Sequence, residues 1–190
     1  DRGKNWMAMN GSLPRVAIHD LAIHPRDAEI VIGTHGRSLY VASLKEVRQL
    51  KDSVVKMPVQ WISAPDITFG KRWGAKPGAF EKVDTPSVDV CYFSKSLGAI
   101  QWSIIGPKGV VMASGSDTAD AGLNYTLLPL AMSSQSVAAY RKTSREASSK
   151  IRATDSGLTF LPPGEYVLRL NASGEVSEKK WKVIDPDEKK

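Results

Sequence analysis

Three histidines, His19, His24 and His35, stand close in the sequence beside the carboxylates Asp20, Asp27 and Glu29, and metal or acid–base chemistry would first be sought there. A strand sends successive side chains to opposite faces. His19 and His24, five positions apart, therefore point away from each other on a regular strand and cannot share one ion. His24 before Pro25 and His35 between Thr34 and Gly36 read as turn residues whose ring nitrogens bond to backbone. Glycoside cleavage needs two carboxyl groups roughly 5 to 10 Å apart across the bond, whereas Asp27 and Glu29 fall in a polar turn and read as solvated. No Gly-x-Ser-x-Gly elbow, phosphate-binding loop, His-Glu-x-x-His pair or Cys–His pair occurs. The single Cys91, within "SVDVCYFS", cannot form an internal disulfide or a multi-thiolate zinc site and reads as a small buried hydrophobe. No catalytic residue, metal or cofactor is expected.

Two groups of residues are candidates for binding. His35 and Arg37 flank Gly36 in "THGR", which reads as a hairpin tip with Gly36 at positive φ; the pair either lines an end face or simply closes the turn. Lys71, Arg72 and Trp73 lie in "APDITFGKRWGAKPGAFEKVDTP", a Gly- and Pro-containing loop whose aromatics look exposed, and they form a candidate contact to a partner or glycan. Trp61, Trp102 and Trp181 fall one per strand-like segment and read as packing residues.

The net charge of +6 is only partly focused. Residues 1–60 hold 9 Lys/Arg against 6 Asp/Glu, and residues 131–156 hold 5 against 2, so each contributes +3. Neither segment interleaves aromatics with its basic residues as a strand-stacking nucleic-acid surface does, and a solvated basic face is expected. No stretch approaches the roughly 18 to 20 apolar residues of a membrane helix.

The elements that must position these residues are short strands punctuated by Gly and Pro. "IHDLAIHP", "EIVIGTHG" and "SLYVASL" read as an antiparallel meander. "KEVRQLKDSVVKMP" reads as a polar connector with helical character. "VQWISA", "SVDVCYFS", "AIQWSIIGP", "GVVMASG", "LNYTLLPL", "GEYVLRLNA" and "EKKWKVID" then supply seven strands, the count of an immunoglobulin-like sandwich. The Ser- and Ala-rich insertion 131–156 reads as a short Ser-capped amphipathic helix on the sandwich edge, with Val137, Tyr140 and Ile151 on one side.

At the start, Asp1, Gly3 and Trp6 form "D-x-G-x-x-W", in which Asp would accept backbone N–H bonds, Gly would allow positive φ and Trp would cover the turn from the core side. With Leu13, Pro14, Asp20, Leu21, Ala22, His24, Pro25, Gly33 to Arg37, Tyr40 and Val41, the run resembles the end of the β-propeller in bacterial sortilin-like BNR/Asp-box repeat proteins, a family in which members carry glycosyl hydrolase names. Further on, Gly122-Leu123-Asn124 and Pro163-Gly164-Glu165-Tyr166 with Leu170 resemble the immunoglobulin- or fibronectin-like domain of the flagellar hook-capping protein. The chain departs from that pattern in having Leu127 and Leu128 where relatives carry a Trp, and in the 131–156 insertion.

The resemblance implies an all-β chain: the last blade of an incomplete propeller over 1–45, a linker over 46–58, a sandwich over 59–186 and a tail over 187–190. It implies that the first unit is held by the remainder of the propeller, in the same polypeptide or a cleaved chain, since strands of one blade alone would leave open edges. It also implies export to the periplasm, outer membrane or cell surface, and non-catalytic docking to an envelope protein, peptide or glycan. The alternative it leaves open is a propeller glycoside hydrolase with its catalytic carboxylates in other blades.

Overall fold

A computed structural model describes residues 3, 4, 6, 13–76, 78 and 82–187. Within them the chain is all-β, with a curled half-barrel sheet and little helix. Strands β1 (Ile18–His24), β2 (Glu29–Thr34) and β3 (Leu39–Ser43) form the antiparallel meander in the order β1-β2-β3. Its turns are built as their residues dictate. Gly36 takes φ 72°, and the Thr34 hydroxyl closes the second turn by donating to the Ser38 carbonyl at 2.6 Å. In the first, the Asp27 N–H donates to Nδ1 of His24 at 3.2 Å.

Register decides what the meander shows to its surroundings. Leu21 pairs with Ile32, Ile23 with Ile30, and Ile32 in turn with Tyr40, so one face is apolar. Ala22 pairs with Val31, Val31 with Val41, and Gly33 with Leu39, so the other face is largely apolar too. Sheets with that pattern are normally covered on both sides. Here Leu21, Ile23, Leu39 and Val41 remain exposed, Leu39 at 68%. Gly3 has the positive φ expected of the N-terminal turn, but Trp6 does not cover that turn from a core: it is 91% exposed and donates from Nε1 to the Gly3 carbonyl at 3.0 Å. Asp1 lies outside the described residues.

All seven later strand segments form strands. They are β4 (Val59–Ser63), β6 (Ser87–Ser94), β7 (Gly98–Ile105), β8 (Val111–Ala119), β9 (Gly122–Pro129), β10 (Gly164–Ala172) and β11 (Glu175–Ile184), joined by a two-residue strand β5 (Ile67–Thr68). They make two sheets, β4-β6-β9 and β5-β11-β10-β7-β8. One core cluster draws Trp61, Val90, Tyr92 and Leu128 from the first and Ile104, Met112, Leu168 and Trp181 from the second. Polar groups that enter it are paired: the indole N–H of Trp61 donates to the Leu168 carbonyl at 3.2 Å, and that of Trp181 to the Pro65 carbonyl at 2.7 Å. The buried Tyr166 hydroxyl donates to the carbonyl of Pro162, four residues back, at 2.5 Å. The β10–β11 hairpin turns through Ser173 (φ 52°) and Gly174 (φ 91°), and positive φ at both positions matches the right-handed twist of the paired strands.

The connector is more than a tether. Its 3-10 turn Val47–Gln49 and one-turn helix α1 (Asp52–Val55) lay Val47, Leu50, Val54 and Val55 over Ile62, Cys91, Phe93 and Leu123, on the outer side of the β4-β6-β9 sheet. Strand β6 is therefore buried on both faces over Val90–Phe93, which explains the unbroken run "VCYF". The insertion forms α2 (Ser134–Arg141) and α3 (Arg145–Lys150). Ser133 caps α2 by accepting from the Ser136 N–H at 3.1 Å, and Tyr140 and Ile151 are buried with Val137 packed beside them.

Candidate functional site

A cleft of about 940 Å³ opens between β3 and the outer face of the β4-β6-β9 sheet. Alternation along β6 puts Asp89, Cys91 and Phe93 on that outer face, and pairing sets Leu127, Tyr125 and Leu123 of β9 beside them. The connector covers the end with Cys91, Phe93 and Leu123, leaving Tyr125 (52% exposed) and Leu127 (58%) open. Tyr40 and Ala42 of β3 approach from the meander.

Among the described residues, every charged side chain lining the cleft is a carboxylate: Glu46, Asp89, Asp117 and Asp120. Glu46 accepts from the Ser43 hydroxyl at 3.0 Å, and Asp117 from the Thr118 N–H at 2.7 Å and the Thr126 hydroxyl at 3.3 Å. Among the described residues, the Asp89 and Asp120 carboxylates have no hydrogen-bond or ion-pair partner; the bonds at Asp120 are made by its backbone. Burial pushes the Cys91 thiol up to about 12, opposed by its hydrogen bond with Tyr125 and reinforced by the charge of Glu46. Burial likewise raises Tyr125 to about 12, with Cys91 and Glu46 adding to it, and Tyr92 to about 12, with Asp117 and Asp120 adding. At neutral pH the thiol is protonated and a poor nucleophile.

The residues singled out in the sequence lie elsewhere. His35 sits in the β2–β3 turn and stacks on His19 with ring centroids 4.7 Å apart, a pairing that spacing alone did not show; Arg37 is exposed in the same turn. Lys71 is exposed and its ammonium is 3.0 Å from the Asp187 carboxylate, and Arg72 is exposed. Trp73 is not the exposed loop aromatic that its surroundings suggested. It packs against the main core, between Phe69 at 4.8 Å and Phe160 at 6.1 Å. Two glycines let the loop close around it: a Cβ on Gly70 would stand 2.4 Å from the Trp73 indole nitrogen, and one on Gly74 (φ +77°) 2.4 Å from the Thr154 hydroxyl.

The cleft residues are not legible in the sequence because they come from the connector, β6, β8 and β9, and only the packing of these separate elements brings them together. One signal was available: "SVDVC" places Asp89 on the face of Cys91. Among the described residues no group of three or more His, Cys, Asp or Glu is arranged to hold a metal ion, and no helix is long and apolar enough to cross a membrane.

No family model matches the chain, and no curated protein matches it. A similar solved structure is a β-glucosidase from Listeria innocua in complex with glucose, at 13% identity and a TM-score of 0.30, covering 66% of this chain. The chain spans 16% of that structure's length, and a likeness at this level fixes neither fold nor activity.

Proposed function

We propose that the chain is a non-catalytic docking portion of an exported, sortilin-like Asp-box propeller protein, with a terminal blade over 1–45 and an immunoglobulin-like sandwich over 59–186. The observation that carries the reading is the meander's register, which makes both faces of a three-stranded sheet apolar and leaves both exposed. A propeller blade is a sheet layered between two others, and such a sheet needs apolar residues on both sides. The remaining blades, in the same polypeptide or a separate chain, are the layers it would meet. The sandwich reading rests on the two sheet orders and their shared core. The Tyr166 hydroxyl bond to the backbone four residues upstream also has the form of a tyrosine corner at the start of an F strand.

The test is sedimentation of the chain over a concentration series, beside Leu21→Glu/Leu39→Glu, which places one charge on each meander face at positions that do not line the cleft. The docking reading expects the wild-type chain to self-associate through its open faces and the variant to sediment as a monomer with an unchanged sandwich melting transition. A wild-type chain that stays monomeric at all concentrations and binds no hydrophobic dye overturns it. So does release of sugar from aryl glycosides by the chain, which would move the reading to a hydrolase.

A further inference from the structure

We propose that the cleft between β3 and the β4-β6-β9 sheet docks an extended segment of a partner polypeptide that bears lysine or arginine side chains. The inference deepens the docking reading, on which it rests, by naming the partner's chemistry.

Two features of the cleft independently fit such side chains. Its floor is open and apolar: Tyr125 is the lining residue of the outer sheet face that the connector leaves uncovered, and Ile32, Tyr40 and Val41 line the cleft from the meander. Its charge has one sign: among the described residues four carboxylates line it and no Lys, Arg or His does, in a chain with 26 Lys and Arg against 20 Asp and Glu. Lysine and arginine have that same two-part character, an apolar stem that lies along aromatic or aliphatic surface and a cationic head that seeks a carboxylate. Asp89 and Asp120, whose carboxylates have no partner among the described residues, are the acceptors for those heads. Glu46 and Asp117 are held by Ser43, Thr118 and Thr126, so their position is fixed before a ligand arrives. A small cation alone would satisfy the carboxylates but not the floor. An acidic or neutral glycan would leave the charges uncompensated.

The chain's overall charge of +6 makes the test discriminating, because at long range the molecule repels a polycation and only a local acidic site can hold one. The probe is a fluorescein-labelled dodecapeptide of alternating Lys and Val, with an alternating Glu and Val peptide as control, titrated against the full chain by anisotropy. Saturable binding of the Lys peptide is expected, weakened at least tenfold by Asp89→Asn/Asp120→Asn and by raising the salt from 50 mM to 500 mM. Carbodiimide, which joins an amine to a carboxylate in direct contact, is expected to link the peptide to Glu46, Asp89, Asp117 or Asp120. The two asparagines are isosteric at exposed positions, and an unchanged melting temperature confirms that the variant folds. Equal binding by the variant, equal binding of the Glu peptide, linkage mapped outside the cleft, or no saturable binding overturns the proposal. Self-association through Leu21 and Leu39 persisting alongside any of these results leaves the broader docking reading standing, so the two failures are distinguishable.

Discussion

The meander and the sandwich are built from the same residue types in the same alternating pattern, yet one is sealed and the other open. Across the sandwich, Ile104, Met112, Leu128, Leu161, Leu168 and Leu170 are completely inaccessible to solvent. Across the meander, Ala28 is the sole hydrophobic residue among the described ones that counts as buried. The difference is layers rather than composition: the sandwich's two sheets cover each other's inner faces and the connector covers part of an outer one, while the meander carries two apolar faces. The sealed apolar contacts therefore lie in residues 47–184, and the meander's apolar surface is open among the described residues.

The largest effect expected from breaking this contrast is a core truncation. Trp181→Ala removes a ring packed on Tyr166 and an indole N–H bonded to Pro65, and should cost about 3–5 kcal/mol in urea unfolding. A value near zero would show that the sandwich does not carry the stability. Next comes Tyr166→Phe, which leaves the Pro162 carbonyl without its buried donor and should cost about 1–3 kcal/mol.

A pH series sharpens the comparison further. Burial raises the folded-state values of Cys91, Tyr92 and Tyr125 to about 12, from ordinary values of 9.0 for the thiol and 10.0 for the phenols. The unfolded chain therefore loses these protons first as pH rises, and by linkage the stability they contribute is complete below about pH 9 and declines from there toward 12. Unfolding free energies measured between pH 8 and 11 should fall, and Cys91→Ala should reduce the slope. A flat profile would mean that Cys91 is open to water in solution. The smallest effect belongs to Lys71→Ala, which breaks the solvent-exposed pair with Asp187; it should change stability by less than about 0.5 kcal/mol.

The strands were legible because turn chemistry brackets them: Gly36, Lys108-Gly109 and Ser173-Gly174 take the positive φ that short hairpin connections require. The Ser133 cap and the burial of Tyr140 and Ile151 were legible for a similar local reason, although Ile151 follows α3 instead of sharing a helix with Tyr140. What sequence could not supply was contact between distant segments. Trp73 looked exposed because Gly and Pro surround it, and only the placement of Phe160 and Thr154 turns those glycines into close-packing positions. The connector looked polar because its four apolar residues are spread among charges, and their purpose appears only against Cys91 and Phe93. The carboxylate cleft is the extreme case, assembled wholly by packing between the connector and strands of separate sheets.

The connector's fit on β6 has a practical corollary for anyone wishing to excise the sandwich. A cut at Val59, where the strand pattern begins, would strip Val47, Leu50, Val54 and Val55 from Ile62, Phe93 and Leu123 and lay a greasy stripe bare on an otherwise self-contained unit. The natural cutting point is Glu46, ahead of the 3-10 turn, so that the segment between stays on the sheet face it covers.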